Sequence, residues 1–356
     1  MEKSATLRDC LDEAGDFDLD KYVDYKKKRD ELLEEEEDLE EVPPKKMPFR
    51  KRNSDGYFPN DCLESEWYRR YVQYPDHPLN KKHMNLFRRR FRMPHSAFKD
   101  LVKEARIDNW FPDYEKRNAL GDMGVSLDIL ILGALRYLGR GWTFDDLYEA
   151  TSVSEEVHRR FFKVFVVACR KHLYPKWVKR PETPEEIEDC MSEYVQAGFD
   201  GCIGSADVTH VILERCHSRL KNQNQGGKSS HTTRAFQIVA NHRRQIIAST
   251  VGYPGRWNDM TIVRFDGFVT DIHNGTYLNE HQFNLKDING KEEKYTGAWI
   301  LVDGGYLNWS TLVCPFKNSQ NKKEQRWSKW AESMRKDVEC TFGILKGNHK
   351  YICTFY

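Results

Sequence analysis

The spacing of apolar residues changes character partway along the chain. From about Glu64 to Tyr174 the period is helical. Leu127, Leu130, Ile131, Ala134, Leu135 and Leu138 recur at i, i+3, i+4, i+7, i+8 and i+11, which predicts one buried helix face. Gly139-Arg140-Gly141 ends that helix. Thr143 is placed to cap a short helix over Phe144–Ala150, and Thr151–Ser154 reads as a turn with Ser154 as the next N-cap. Val157, Phe161, Val164, Phe165 and Ala168 then form the inner face of a longer helix, leaving His158, Arg159, Arg160 and Lys163 outside. Short helix, turn and longer basic helix is the helix-turn-helix outline, although a plain helical bundle with solvated charges fits the same spacing.

Beyond Pro181 the period shifts. Pro184 opens a short helix running to about Ala197, after which Cys202–Ile212 alternates as a strand does. Ala235–Asn241 and Gln245–Val251 are β-rich runs joined by His242-Arg243-Arg244, a hairpin signature. Asp259–Phe265 reads as a helix start and Gly267–Lys294 as an insertion or long loop. Ala298–Val302 is a continuous apolar run, as expected of a strand buried on both faces, and Trp327–Leu345 returns to helix. The expected class is mixed α/β, with helices before a sheet-containing second half.

Charge sharpens this division. The 356 residues sum to only +1, yet residues 1–42 carry −10, residues 43–180 carry +11 and residues 181–356 carry zero. Three parts are therefore expected: a solvated, disordered arm over 1–55, a helical DNA-binding region over 56–180, and an α/β domain over 181–356. Lys26-Lys27-Lys28-Arg29 and the group Lys45-Lys46 with Arg50-Lys51-Arg52 are candidate nuclear import signals, so a nuclear location is expected. The most apolar stretch, Val125–Leu138, is broken by Asp128 and Arg136 and is too short to span a bilayer. Nine cysteines occur without a C-x-x-C pair, which speaks for a reducing compartment. Gly226-Gly227-Lys228-Ser229 lacks the glycine at position 222 that a phosphate-binding loop needs.

Three carboxylates fall where acids are unexpected. Asp207 lies inside the first strand, where acids are depleted. Asp303 follows the buried run Ile300-Leu301-Val302 and precedes Gly304-Gly305, where the chain must turn. Glu339 lies in the last helix, three residues before Phe342 and so beside an apolar face. Acids at buried margins cost free energy unless paired or bound to a cation. Three of them converging would make an all-oxygen site suited to Mg2+ or Mn2+.

Four stretches carry a resemblance: Ala206-Asp207-Val208-Thr209-His210-Val211, Gly252-Tyr253-Pro254-Gly255-Arg256-Trp257-Asn258-Asp259, Leu301-Val302-Asp303-Gly304-Gly305-Tyr306 and Glu339-Cys340-Thr341-Phe342-Gly343-Ile344-Leu345-Lys346. Over residues 200–350 the chain resembles the DDE domain of PIF/Harbinger-type transposases, a group that includes transposase-derived nucleases. The resemblance implies a ribonuclease H-like catalytic domain over 181–356, with Asp207, Asp303 and Glu339 holding two divalent cations. DNA phosphodiesters would be cleaved and joined there by a two-metal mechanism. Asp259 matches an acidic position in the family's Pro-Gly motif, and capping the helix from Met260 is its other reading. Gly304 stands where the family commonly has Ser, and Cys340 where it often has a basic residue. Only 17 residues follow Glu339, so a C-terminally truncated domain is expected. The resemblance also implies a Myb-like partner protein, transposon ends and short A/T-containing targets. Arg88, Arg89, Arg90 and Arg92, and Arg159, Arg160 and Lys163, are the candidate phosphate contacts. The competing reading is a domesticated, catalytically inactive DNA- or chromatin-binding protein of the same origin.

Overall fold

The computed structural model describes residue 63 and residues 65–73, 81–116, 124–213, 216–226, 230–286 and 289–348. The arm expected over 1–55 with its basic clusters, and Gly227-Lys228-Ser229, lie outside the described residues.

A π turn over Tyr68–Gln73 precedes α1 (Lys81–Phe91), α2 (His95–Ile107), α3 (Leu127–Arg140), α4 (Phe144–Thr151) and α5 (Glu155–Ala168). Their shared core is aromatic, with Phe87, Phe91, Phe98 and Phe161 fully buried. Burying side chains of that size dominates the stability of such a bundle. The helix α3 goes further than its spacing predicted, because every residue from Leu127 to Ala134 is buried. Asp128 is tolerated there because Arg106 of α2 pairs with it, and Glu115 holds the same guanidinium at 2.7 Å. A left-handed Gly141 (φ 71°) closes α3. Thr143 and Asp146 form the capping box that starts α4.

The face of α5 differs from the expected one. His158, Phe161, Phe162, Phe165 and Ala168 are buried, while Val164 is exposed. Phe162 offers far more apolar area than Val164, and turning the helix to bury it carries His158 inward. A Cβ on Gly133 of α3 would stand 2.7 Å from the His158 ring, so the absent side chain provides the space. His158 bonds Thr151 Oγ1 at 2.9 Å, and burial pushes its imidazole down to about 4, leaving it neutral. Ser154 precedes α5 but contributes no side-chain cap.

The second half opens with α6 (Pro184–Gln196), capped by Thr183, and β1 (Cys202–Ile212). Then come α7 (Ser218–Asn224), β2 (Thr233–Ala240), β3 (Ile246–Ser249), β4 (Tyr253–Pro254), α8 (Asp259–Val263) and α9 (Gly267–His273). A separate hairpin, β5 (Gln282–Lys286) with β6 (Glu292–Thr296), leads to β7 (Trp299–Leu301), β8 (Leu312–Val313) and the long α10 (Lys322–Asn348). The main sheet runs β3-β2-β1-β7-β8, with β4 also on β2. β1, β2 and β3 are antiparallel, whereas β1, β7 and β8 are parallel. The stretch 267–294, expected as a loop, instead contains α9 and most of the β5–β6 hairpin. No helix among the described residues is long and apolar enough to cross a membrane.

The helical core draws only on residues 67–173, and the sheet clusters only on residues 187–334. Between them, Tyr174 donates to the Ser249 carbonyl, and Arg180 pairs with Asp271 at 2.7 Å.

Asp266 anchors α9, accepting from the Phe268 and Val269 amides while Gln237 of β2 donates to it at 2.5 Å. Burial pushes its carboxyl up from 3.8 to about 6. The folded state therefore holds this proton more tightly than the unfolded chain. Its contribution is full below pH ~4 and is lost as the pH rises through about 6, a change of roughly 3 kcal/mol at most. Asp266→Asn keeps one oxygen for the cap and removes the titration. The urea midpoint should then fall less between pH 4 and 7 than in the parent, and an identical slope would contradict this account.

Candidate active site

Strand register places the first two acids. Ser205 of β1 pairs with Leu301 of β7 in the parallel ladder, after a bulge between Cys202 and Gly204. Asp207 and Asp303 each lie two residues beyond that pair, so they leave neighbouring strands at one level. Val302 is fully buried and ends the apolar run; the chain then turns, with Asp303 Oδ1 accepting from the Gly305 amide at 2.8 Å. The turn needs the small residues of Gly304-Gly305. A Cβ on Gly305 would stand 3.0 Å from Asp303 Oδ1 and 3.5 Å from Asp259 Oδ2. At Gly304 the space is taken by the Lys317 side chain, whose ammonium bonds the Gly304 carbonyl. A serine there would displace that side chain.

Asp259 thus joins the site beside Asp303. The cap of α8 is Asn258, whose Oδ1 accepts from Thr261 N at 2.8 Å, so the capping role considered for Asp259 falls to its neighbour. The Pro-Gly segment before it is locked by close packing, since a Cβ on Gly255 would meet Thr233 Oγ1 at 2.0 Å.

Glu339 arrives on α10, which packs across β1, β2 and β7. Ala331, Met334 and Val338 face the core. Asp337, also buried, is 2.5 Å from His242 Nδ1 and 3.7 Å from Arg244 in the β2–β3 turn, which anchors the helix two residues from Glu339. Arg335 connects the acids: Nη1 bonds Asp207 Oδ2 at 3.1 Å and Nη2 bonds Glu339 Oε1 at 2.6 Å. The Asp207 side chain is 22% exposed and that of Glu339 is 46%.

Burial pushes the Asp207 carboxyl above its ordinary value, and the nearby Asp303 and Asp259 push it the same way. The Val208 amide, at 2.8 Å from Oδ1, and Arg335 oppose that rise. Tyr306 is 5% exposed, and its hydroxyl finds no partner among the described residues. Burial, with Asp207, Asp259 and Asp303 around it, drives its phenol far above 10. An orphaned buried hydroxyl among three carboxylates is what a site awaiting further polar occupants looks like.

The donor set is all oxygen and fits a hard divalent cation. Among the described residues, however, no three His, Cys, Asp or Glu groups converge as a ready-made metal cage, and Arg335 stands between Asp207 and Glu339.

The candidate phosphate contacts fare unequally. Arg88 and Arg89 are exposed on α1, as is Lys163 on α5. Arg90 bonds the Tyr71 hydroxyl and Arg92 reaches the Gly139 carbonyl at 3.4 Å. Arg159 and Arg160 are ion-paired with Glu155 and Glu156 on their own helix. Sequence reasoning missed a different set: Lys322, Lys329 and Lys336 recur every seven residues on α10, all exposed and without ion pairs among the described residues. That heptad spacing was the available signal.

The comparisons with known proteins put the chain in a transposase-related class. The sequence profile of the plant transposon protein family matches residues 175–355, and the chain belongs to that family. Protein ALP1-like from Arabidopsis thaliana is 19% identical over 232 residues, covering 63% of this chain. The chain spans 55% of the length of that curated relative. No solved structure matches the chain.

Proposed function

We propose that the chain is a PIF/Harbinger-type DDE transposase or transposase-derived nuclease, cleaving and joining DNA phosphodiesters with two divalent cations, Mg2+ or Mn2+. The observation that carries this reading is the register of Asp207 and Asp303 on adjacent parallel strands, with Glu339 tied to Asp207 from the crossing helix. Three antiparallel strands followed by two parallel ones, in the order β3-β2-β1-β7-β8, support a ribonuclease H-like assignment of the domain.

Asp207, Asp303 and Glu339 would hold the cations, with Asp259 as a further oxygen donor. Once bound, the two ions would activate a water or 3′-hydroxyl nucleophile and stabilise the leaving oxygen. The chain itself supplies position. The β1–β7 ladder sets the separation of two acids, the Asp337 anchor holds the third, and Tyr306 offers a hydroxyl among them. DNA, transposon ends and short A/T-containing targets among it, is the proposed substrate. A Myb-like protein is the proposed partner and the nucleus the proposed location.

Nicking of supercoiled plasmid in Mg2+ or Mn2+, compared with EDTA and with Asp207→Asn and Glu339→Gln, tests the reading. Equal activity in parent and variants would sink it. A non-catalytic DNA-binding protein is the second reading, favoured by the Arg335 bridge, and it expects no nicking in any of them.

The α10 lysines, without ion pairs among the described residues, and the exposed arginines of α1 suit phosphate contact better than the internally paired α5 arginines. Alanine at Lys322, Lys329 and Lys336 should lower the slope of log affinity against log salt by about 0.9 per lost duplex contact. Alanine at Arg159 and Arg160 should lower it less. A fluorescence-anisotropy salt series measures both, and the reverse ranking would refute the assignment.

A further inference from the structure

Arg335 is 17% exposed and its guanidinium links two acids from different elements, Asp207 in the middle of β1 and Glu339 one turn further along α10. Ordinary surface pairs of the i, i+4 kind are weak and solvated. This one differs because its second partner is a largely buried strand carboxylate. Two further features mark it as a placeholder. Its Nε is buried without an acceptor among the described residues, so the five-donor fork is only partly satisfied. It also occupies the position between Asp207 and Glu339 that any cation shared by those carboxylates must take.

We propose that Arg335 is the resident counter-ion of this site, holding Asp207 and Glu339 together in the metal-free protein and displaced when a divalent cation binds between them. The proposal rests on the two-cation reading above. Its physical basis is competition: without a cation the largely buried Asp207 and the half-exposed Glu339 repel, and the guanidinium neutralises them. A divalent ion supplies more charge in less space, but it must first break two charge-assisted hydrogen bonds. Metal affinity is then set by the difference between two occupants. Rotation about the long Arg335 side chain can withdraw the guanidinium without moving α10, so the exchange needs no change of fold.

The test is Mn2+ binding, followed by the electron paramagnetic resonance of the free ion, in the parent, Arg335→Met and Arg335→Lys. Thermal unfolding is measured in EDTA and in Mn2+. Arg335→Met keeps length and removes charge. It should unfold at a lower temperature in EDTA, bind Mn2+ at least about tenfold more tightly, equivalent to about 1.4 kcal/mol, and gain more from Mn2+ than the parent does. Arg335→Lys, with one ammonium for two acids, should tighten binding about threefold, and it carries the test if the Met variant does not fold. Unchanged or weaker Mn2+ binding in the variants, with the parent still binding, overturns the displacement proposal and leaves the two-cation reading standing. Absence of Mn2+ binding in parent and variants alike overturns both.

Discussion

Asp207→Asn is expected to reduce metal-dependent nicking at least about a thousandfold, some 4 kcal/mol of transition-state stabilisation, with little loss of folded structure. Both parts follow from the same surroundings. The carboxylate is the most buried of the proposed ligands for which a pair is formed, so its charge acts with little solvent screening. Neutralising it removes an acid that burial already disfavours, and this offsets the weakened bond to Arg335. Circular dichroism and the unfolding temperature in EDTA should therefore change modestly while cleavage disappears. A variant that unfolds in step with its loss of nicking would show that Asp207 is a structural residue. One that still nicks would remove it from the site.

The second large effect is structural and lies in the Pro-Gly segment. Gly255→Ala would drive a Cβ to 2.0 Å from Thr233 Oγ1, 2.4 Å from the Thr233 carbonyl and 2.7 Å from the Asn224 carbonyl. Two of these neighbours are backbone and cannot rotate away. The expected cost is roughly 2–4 kcal/mol, at the upper end for one added methyl group. The damage should also reach chemistry, because the displaced segment leads directly into Asn258 and Asp259. A urea midpoint within about 0.5 kcal/mol of the parent would show that the packing yields more easily than these distances allow. Gly275→Ala, whose Cβ meets nothing within 4 Å but whose φ is +69°, is the control for backbone strain alone.

Much of the site was legible because its residues break local rules. An aspartate inside a β-rich run and another at the end of a buried run are visible without coordinates, and β1 and β7 put them where the pattern required. Arg335 was invisible for the opposite reason: it obeys a local rule, pairing with Glu339 one turn away like any solvated helix pair. Only the fold lays β1 against it. The face of α5 was misread because Val164 and Phe162 give two apolar stripes, and Gly133, in another helix, decides between them. The β5–β6 hairpin left only half a pattern, since Phe283 and Leu285 alternate with polar residues in β5 alone. Every residue of β6 is exposed, so no alternation of apolar and polar residues marks it as a strand. The candidate acids were thus easier to single out in the sequence than the elements around them.

The bulge and pairing at Ser205–Leu301 have a consequence for how such chains can diverge. The chain between Asp207 and Asp303 passes through β2, β3, β4, three short helices and a hairpin standing outside the main sheet. Residues added to or removed from those connections leave both acids in place, because loop length costs free energy only slowly. One residue gained or lost between Ser205 and Asp207, or between Leu301 and Asp303, would instead turn an acid to the opposite face of the sheet. The interval between the acids is elastic, and relatives can drift widely in length there. The two short steps beyond the paired residues are where insertions and deletions should be purged.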